Sequence, residues 1–199
     1  MTSGSKPFAT GRCAPATGRR CFTTGSDLSS CAIIVDSYIK DWRPFKKAEM
    51  AFYARASVDI AVLSQRENGR RHPHQYRIPL SSLQAALSRL KGRRFDGTGN
   101  FDSLHREIKD AIGDIPKIGP LAIYDIAQRI GVTQNIWPAR IYLHAGTRGG
   151  AQTFGLSGDS ISVDNLPPEF GELTPAECED CLCIYASALK QIAALRAAG

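Results

Sequence analysis

At 199 residues and 43% hydrophobic content, the chain can bury one well-formed core, alone or with an accessory lobe, and is too short for two large domains. It holds no apolar run long enough to span a bilayer and no compact apolar block of a secretory signal, so a cytoplasmic protein without membrane contact is expected. The net charge of +6 is uneven: residues 1–110 carry 19 Lys/Arg against 10 Asp/Glu and the remainder 6 against 9, which suits the first half to a phosphate-rich partner.

Residues 1–26 are rich in Gly, Ser, Thr, Ala and Arg and contain no acid, the composition of a disordered basic tail. A single helical domain is expected over 27–199. From Asp27 the pattern turns helical, with Ile33, Ile34, Tyr38 and Ile39 in phase, and breaks near Arg43-Pro44. A second long helix is predicted through Phe45, Ala48, Phe52, Ala56, Ile60 and Leu63; Lys46, Lys47, Glu49, Arg55 and Asp59 read as its solvated face. The polar stretch from Gln65 to Tyr76 reads as a basic loop. Its cluster Arg70-Arg71-His72-Pro73-His74-Gln75-Tyr76-Arg77 offers Arg71 and Arg77 to phosphates and Tyr76 for stacking, or is merely solvated. The two imidazoles lack further ligands at metal-binding spacing, and no metal or cofactor is expected. Pro79 and Ser81 open a third helix through Leu83, Leu87 and Leu90, with a stop at Gly92.

After the turn at 96–100, a helix through Leu104, Ile108, Ala111 and Ile112 leads into Ile115-Pro116-Lys117-Ile118-Gly119-Pro120 and a further helix. An apolar residue, a Gly and a Pro linking two short helices resemble the helix-hairpin-helix motif, here over 104–131. In that reading Gly119 permits the sharp backbone path, Pro120 takes the first helical position and Ala122 lets the helices pack closely. The resemblance implies a phosphate held by the amides of Ile118, Gly119, Leu121 or Ala122, with Lys117 adding charge and no base being read. Two departures from the DNA-binding form are Lys117, where many relatives carry Gly, and Leu121, where a basic residue is frequent. The lysine and downstream aspartate of the DNA glycosylases are not reproduced, because Leu121 and Ala122 follow the Gly-Pro pair and Asp125 lies one turn along the same helix.

Residues 137–144 are ambiguous between helix and strand, 146–154 suggest a short helix, and Ile161-Ser162-Val163 a short strand. Thr174-Pro175 with Glu177 has the spacing of a capping box and opens a final helix through Leu182, Tyr185, Leu189, Ile192 and Leu195. Cys178, Cys181 and Cys183 on that helix read as buried or half-buried thiols rather than ligands. Tyr124, Asp125, Arg129 and the segment Tyr142-Leu143-His144-Ala145-Gly146-Thr147-Arg148 are the candidates for a buried polar network, with Asp125 and Arg129 one turn apart. This combination is similar to bacterial proteins of no assigned activity. A mainly α, compact multi-helix domain is expected. Its leading function is nonenzymatic, sequence-independent DNA binding through the hairpin and the basic first half. The alternatives are a small enzyme on a nucleotide or nucleic acid, with Asp125, His144 and Arg148 converging as catalytic groups, and a module that docks a protein partner.

Overall fold

The computed structural model describes residues 31–95 and 97–198, so the expected tail and the start of the first helix lie outside the described residues. The chain is mainly α-helical. Helices α1 (Ala32–Asp41), α2 (Arg43–Tyr53), α3 (Val58–Val62), α4 (Leu80–Leu90), α5 (Phe101–Ile112) and α6 (Pro120–Val132) precede a two-residue strand β1 (Ile141–Tyr142). Helix α7 (Ala145–Ala151), strand β2 (Ser160–Ile161), α8 (Pro175–Ile184) and α9 (Ala186–Ala198) follow, with short 3-10 turns between them.

The long second helix expected from periodicity is two helices. Ser57 adopts an extended backbone and its hydroxyl accepts from the Ile60 amide, so a new helix is capped where the apolar phase alone predicts continuity. Phe52, Ala56 and Ile60 still face one core, which is why the phase survives the break. The capping box at Thr174 and Glu177 is present, and its helix bends at Tyr185 into α9. The ambiguous segment at 137–144 contains β1, paired antiparallel with β2 through Ile141 and Ile161.

Two apolar clusters form the interior. One is built by α2 to α6, with Leu83, Leu90, Leu104, Ile108, Ile112 and Ile126 fully buried. The other joins α1 to β1, β2, α7, α8 and α9 around Tyr38, Ile141, Phe170, Leu182 and Leu189. Successive strand residues face opposite sides, and β1 uses this to bridge the clusters: Ile141 enters the second while Tyr142 packs on the first. Helix α6 is buried on almost every side from Ala122 to Val132, so it can place polar side chains only where a neighbouring helix supplies partners.

The hairpin has the expected helices and an unexpected backbone. Lys117, not Gly119, takes the left-handed conformation, at φ 71°. Gly119 is extended, at φ −102° and ψ 176°, and a Cβ there would meet nothing within 4 Å. Lys117 is thus the residue of this turn whose backbone favours glycine.

Candidate functional site: a polar cleft and a basic groove sharing His144

A cleft of about 110 Å³ opens between the two apolar clusters. Helix α2 supplies Lys46 and Glu49, the 3-10 turn Pro73–Gln75 and its approach supply His72 and His74, and α6 supplies Leu121, Asp125, Gln128 and Arg129. His144, which caps α7, and Glu179 and Asp180 of α8 complete it. Ionisable groups gathered in a concave site between packed elements are the usual physical setting for proton chemistry.

The cleft is wired as two linked networks. Lys46 Nζ lies 3.2 Å from Asp180 Oδ1 and 3.4 Å from Glu49 Oε2, while Tyr38 donates its hydroxyl to Asp180 Oδ2 at 3.1 Å. Glu49 Oε1 meets His72 Nε2 at 3.2 Å, and the His72 and His74 rings meet edge-on at 5.0 Å. On α6, Arg129 stands 3.6 Å from Asp125, donates to Ser64 Oγ at 2.8 Å and lies over the Tyr53 ring. Gln75 donates to Asp125 Oδ2 at 2.9 Å. Across the cleft His144 Nε2 pairs with Glu179 Oε1, which also accepts from the Thr147 hydroxyl at 2.7 Å.

These neighbours set the protonation of the site. Burial opposes charge on Glu49, yet the His72 hydrogen bond and Lys46 outweigh it and hold the carboxyl down at about 2. Burial, helped by the adjacent Glu179, pushes Asp180 up to about 7 against the opposing pull of Lys46 and Tyr38. Burial would lower His144, but the bond to Glu179 and that carboxylate's charge bring the imidazole above its ordinary value. His74 is lowered, first by burial and then by His72. The cleft therefore contains two groups suited to proton exchange, Asp180, pushed up to about 7, and His144, whose imidazole is raised by its carboxylate partner. Among the described residues, three buried polar atoms in these networks make no hydrogen bond: Glu49 Oε2, His72 Nδ1 and Gln75 Oε1.

On its other side His144 borders a groove of about 360 Å³. The first turn of α6 enters it through Pro120 and Ile123, α5 contributes His105, Arg106 and Lys109, and Arg148 lies beyond. Asp102 accepts from Tyr142 and Asp159 faces Arg148, and the exposed cations Arg106 and Lys109 have no ion-pair partner among the described residues. The Tyr124 hydroxyl is buried beside the groove and has no hydrogen-bond partner among the described residues. Burial raises its pKa well above the ordinary value, so it stays a donor.

Of the three catalytic candidates, Asp125 and His144 share the cleft and Arg148 does not: it is half-exposed in the groove, 3.4 Å from Asp159. Of the hairpin residues, Lys117 is exposed, Ile118 and Ala122 are buried in the first cluster, and Leu121 lines the cleft. Within the basic loop, Arg71 is turned inward to donate to the Ile78 carbonyl at 2.8 Å, whereas Arg77 is exposed. The solvated-face reading of Lys46 and Glu49 is corrected, since both point into the cleft and Glu49 meets His72 there. Glu179 and Asp180 were not singled out by sequence. Their burial is signalled only by flanking apolar residues, and a helix start full of acids reads equally well as a solvated first turn.

Cys178 and Cys181 are buried in the second cluster, where burial pushes the Cys178 thiol up to about 12, and Cys183 borders the cleft. Among the described residues no group of His, Cys, Asp and Glu has an arrangement that could hold a metal ion, and no helix is long and apolar enough to cross a membrane. Comparison with known proteins gives no match: no family model fits the chain, and no curated protein or solved structure resembles it significantly.

Proposed function

We propose that this protein is a nucleic-acid-associated enzyme that holds a phosphodiester backbone along its hairpin and basic groove and carries out acid–base chemistry in the adjoining cleft. One observation carries the reading. A single helix, α6, begins at the hairpin turn, lines the groove with Pro120 and Ile123, and lines the cleft with Leu121, Asp125, Gln128 and Arg129. A chain gripped at the start of α6 is thereby held beside the cleft that the same helix lines.

The phosphate contact is supported by Lys117, by the unpaired Arg106 and Lys109, and by the N-terminal dipole of a thirteen-residue helix whose Gly119 cap supplies no side chain. None of these groups reads a base, so binding is sequence-independent and weakens steeply with salt. In the cleft, His144 is the proton donor and acceptor. Glu179 orients its ring, and Thr147 fixes that carboxylate in turn. Asp180 supplies a second exchangeable proton on the far side of Lys46.

The test pairs binding with turnover. Duplex DNA, single-stranded DNA and RNA are titrated at low salt in a mobility-shift assay, and each is then incubated with excess protein and analysed by mass spectrometry. The expected result is salt-sensitive binding lost in Lys117→Glu and Gly119→Asp, with a mass change abolished in folded His144→Ala. Absence of binding to all three polymers, or an unchanged mass for every bound one, rejects the proposal.

A further inference from the structure

A cavity of about 600 Å³ adjoins the cleft and shares Lys46, Met50, Gln128 and Asp180 with it. Its volume is in the range of small-molecule sites. Its walls are apolar: Met50, Ala51 and Ala54 of α2, Val132 of α6, Pro138, and the indole of Trp137. Trp137 is 44% exposed, unusual for so large an apolar side chain, and is nonetheless held in place because its indole N–H donates to Asn135 Oδ1 at 3.0 Å. That bond satisfies the ring's polar edge and leaves its faces for stacking.

The inner end is polar. Gln128 is 7% exposed, and its amide makes no hydrogen bond among the described residues. Water can still reach this amide, and an alkyl chain filling the cavity would displace that water and give it no partner in return. For a phosphate the cavity offers little: Arg43 is engaged by Glu177 at 2.6 Å and by the Glu172 carbonyl at 2.9 Å, Lys46 by Asp180 and Glu49, and the exposed Lys47 stands against the carboxyl groups of Asp180 and Glu177. A flat ring with apolar faces and an adjacent donor and acceptor on its edge meets all three demands. A glutamine amide pairs in two-pronged fashion with that edge of adenine.

We infer that this cavity is a recognition pocket for an adenine-type heteroaromatic ring, stacked against Trp137 and hydrogen-bonded at its edge by Gln128, with Asp180 and Lys46 beside it. The inference rests on the nucleic-acid reading above, to which it adds a substrate class. A ring seated here places its inner edge next to Asp180, the group through which pocket and cleft communicate.

The chain contains two tryptophans, Trp42 and Trp137, so fluorescence can be assigned by substitution. Adenosine at millimolar concentration is expected to quench emission in the wild type and in Trp42→Phe, and not in Trp137→Phe. Gln128→Leu, and Gln128→Glu of nearly unchanged size, are expected to weaken adenosine binding about tenfold while keeping the wild-type melting profile, the effect of losing one paired edge. Absence of quenching, affinity unchanged in both Gln128 variants, equal binding of toluene, or quenching that survives Trp137→Phe overturns the inference. Adenosine binding without any affinity for nucleic acid or any turnover sinks the proposed function and leaves the pocket standing. Nucleic-acid turnover without adenosine binding does the reverse.

Discussion

His144 at the start of α7 is ion-paired with Glu179 on α8, and both side chains are nearly buried. This pair joins the strand-to-helix connection to the helix beneath it at the point where cleft and groove meet. Because the His144 pKa is raised in the folded protein, its pairing stabilises fully below the ordinary imidazole value of 6.5 and less as pH climbs through the raised folded value. Glu179→Gln, which leaves a buried imidazolium unpaired, is expected to cost about 3 kcal/mol at the acidic side of neutrality. The cost should shrink as the solution becomes alkaline. Thermal melts of both proteins across that range test this; a pH-independent difference refutes the assignment.

Lys46 is the second such link, holding Asp180 and Glu49 apart while neutralising both. Lys46→Met leaves two buried carboxyl groups without their cation and is expected to destabilise by about 3 kcal/mol. Glu49, held at about 2, contributes stability that is present above its ordinary value of 4.5 and lost as pH falls toward 2. Glu49→Gln should therefore flatten the acid limb of the stability profile. Denaturant melts at a series of acid pH values measure it.

Lys117 strains the hairpin because a residue with a Cβ sits at φ 71°. Lys117→Gly is expected to raise stability by roughly 1 kcal/mol, and Lys117→Asn by less, since asparagine tolerates this conformation. Both variants remove one charge, so both should weaken nucleic-acid binding despite folding as well or better. A rise in melting temperature accompanied by unchanged affinity would detach Lys117 from the proposed contact.

Gly150 marks the closest approach of α7 to α8: a Cβ there would press into the Leu182 carbonyl, which as backbone cannot swing away. Gly150→Ala is expected to cost at least about 2 kcal/mol despite its better helix propensity. Gly119→Ala, by contrast, has open space and should be nearly silent in a chemical melt.

Arg106 and Lys109 are one turn apart on α5 and face the groove. Replacing either by Gln should lower the slope of log affinity against log salt by about 1, uniformly over DNA sequences. A preserved slope would mean that the backbone runs elsewhere.

The helical pattern of α2 conceals what its polar side chains meet. Lys46 and Glu49 alternate with apolar positions just as Lys47 and Arg55 do, and a helical period distinguishes one face from another without saying what covers each. Here the polar flank is covered by α8 and by the 72–75 turn, so charges legible as solvated lie in the cleft. The same limit hid Glu179 and Asp180. Asp125 and Arg129 were legible as partners because a single helix sets their spacing.

What the sequence determined by itself is local: the helical phases, the cap at Thr174, the turn between α5 and α6, and the polarity of His144 and Asp125. Each follows from interactions among residues a few positions apart. The tertiary structure alone decided that α2, α6 and α8 converge on one cleft, that His144 lies between it and a groove, and that Arg148 stays outside. Those relations join residues far apart in the chain, 142 positions for Tyr38 and Asp180, and only the packing of the helices into their two apolar clusters fixes them.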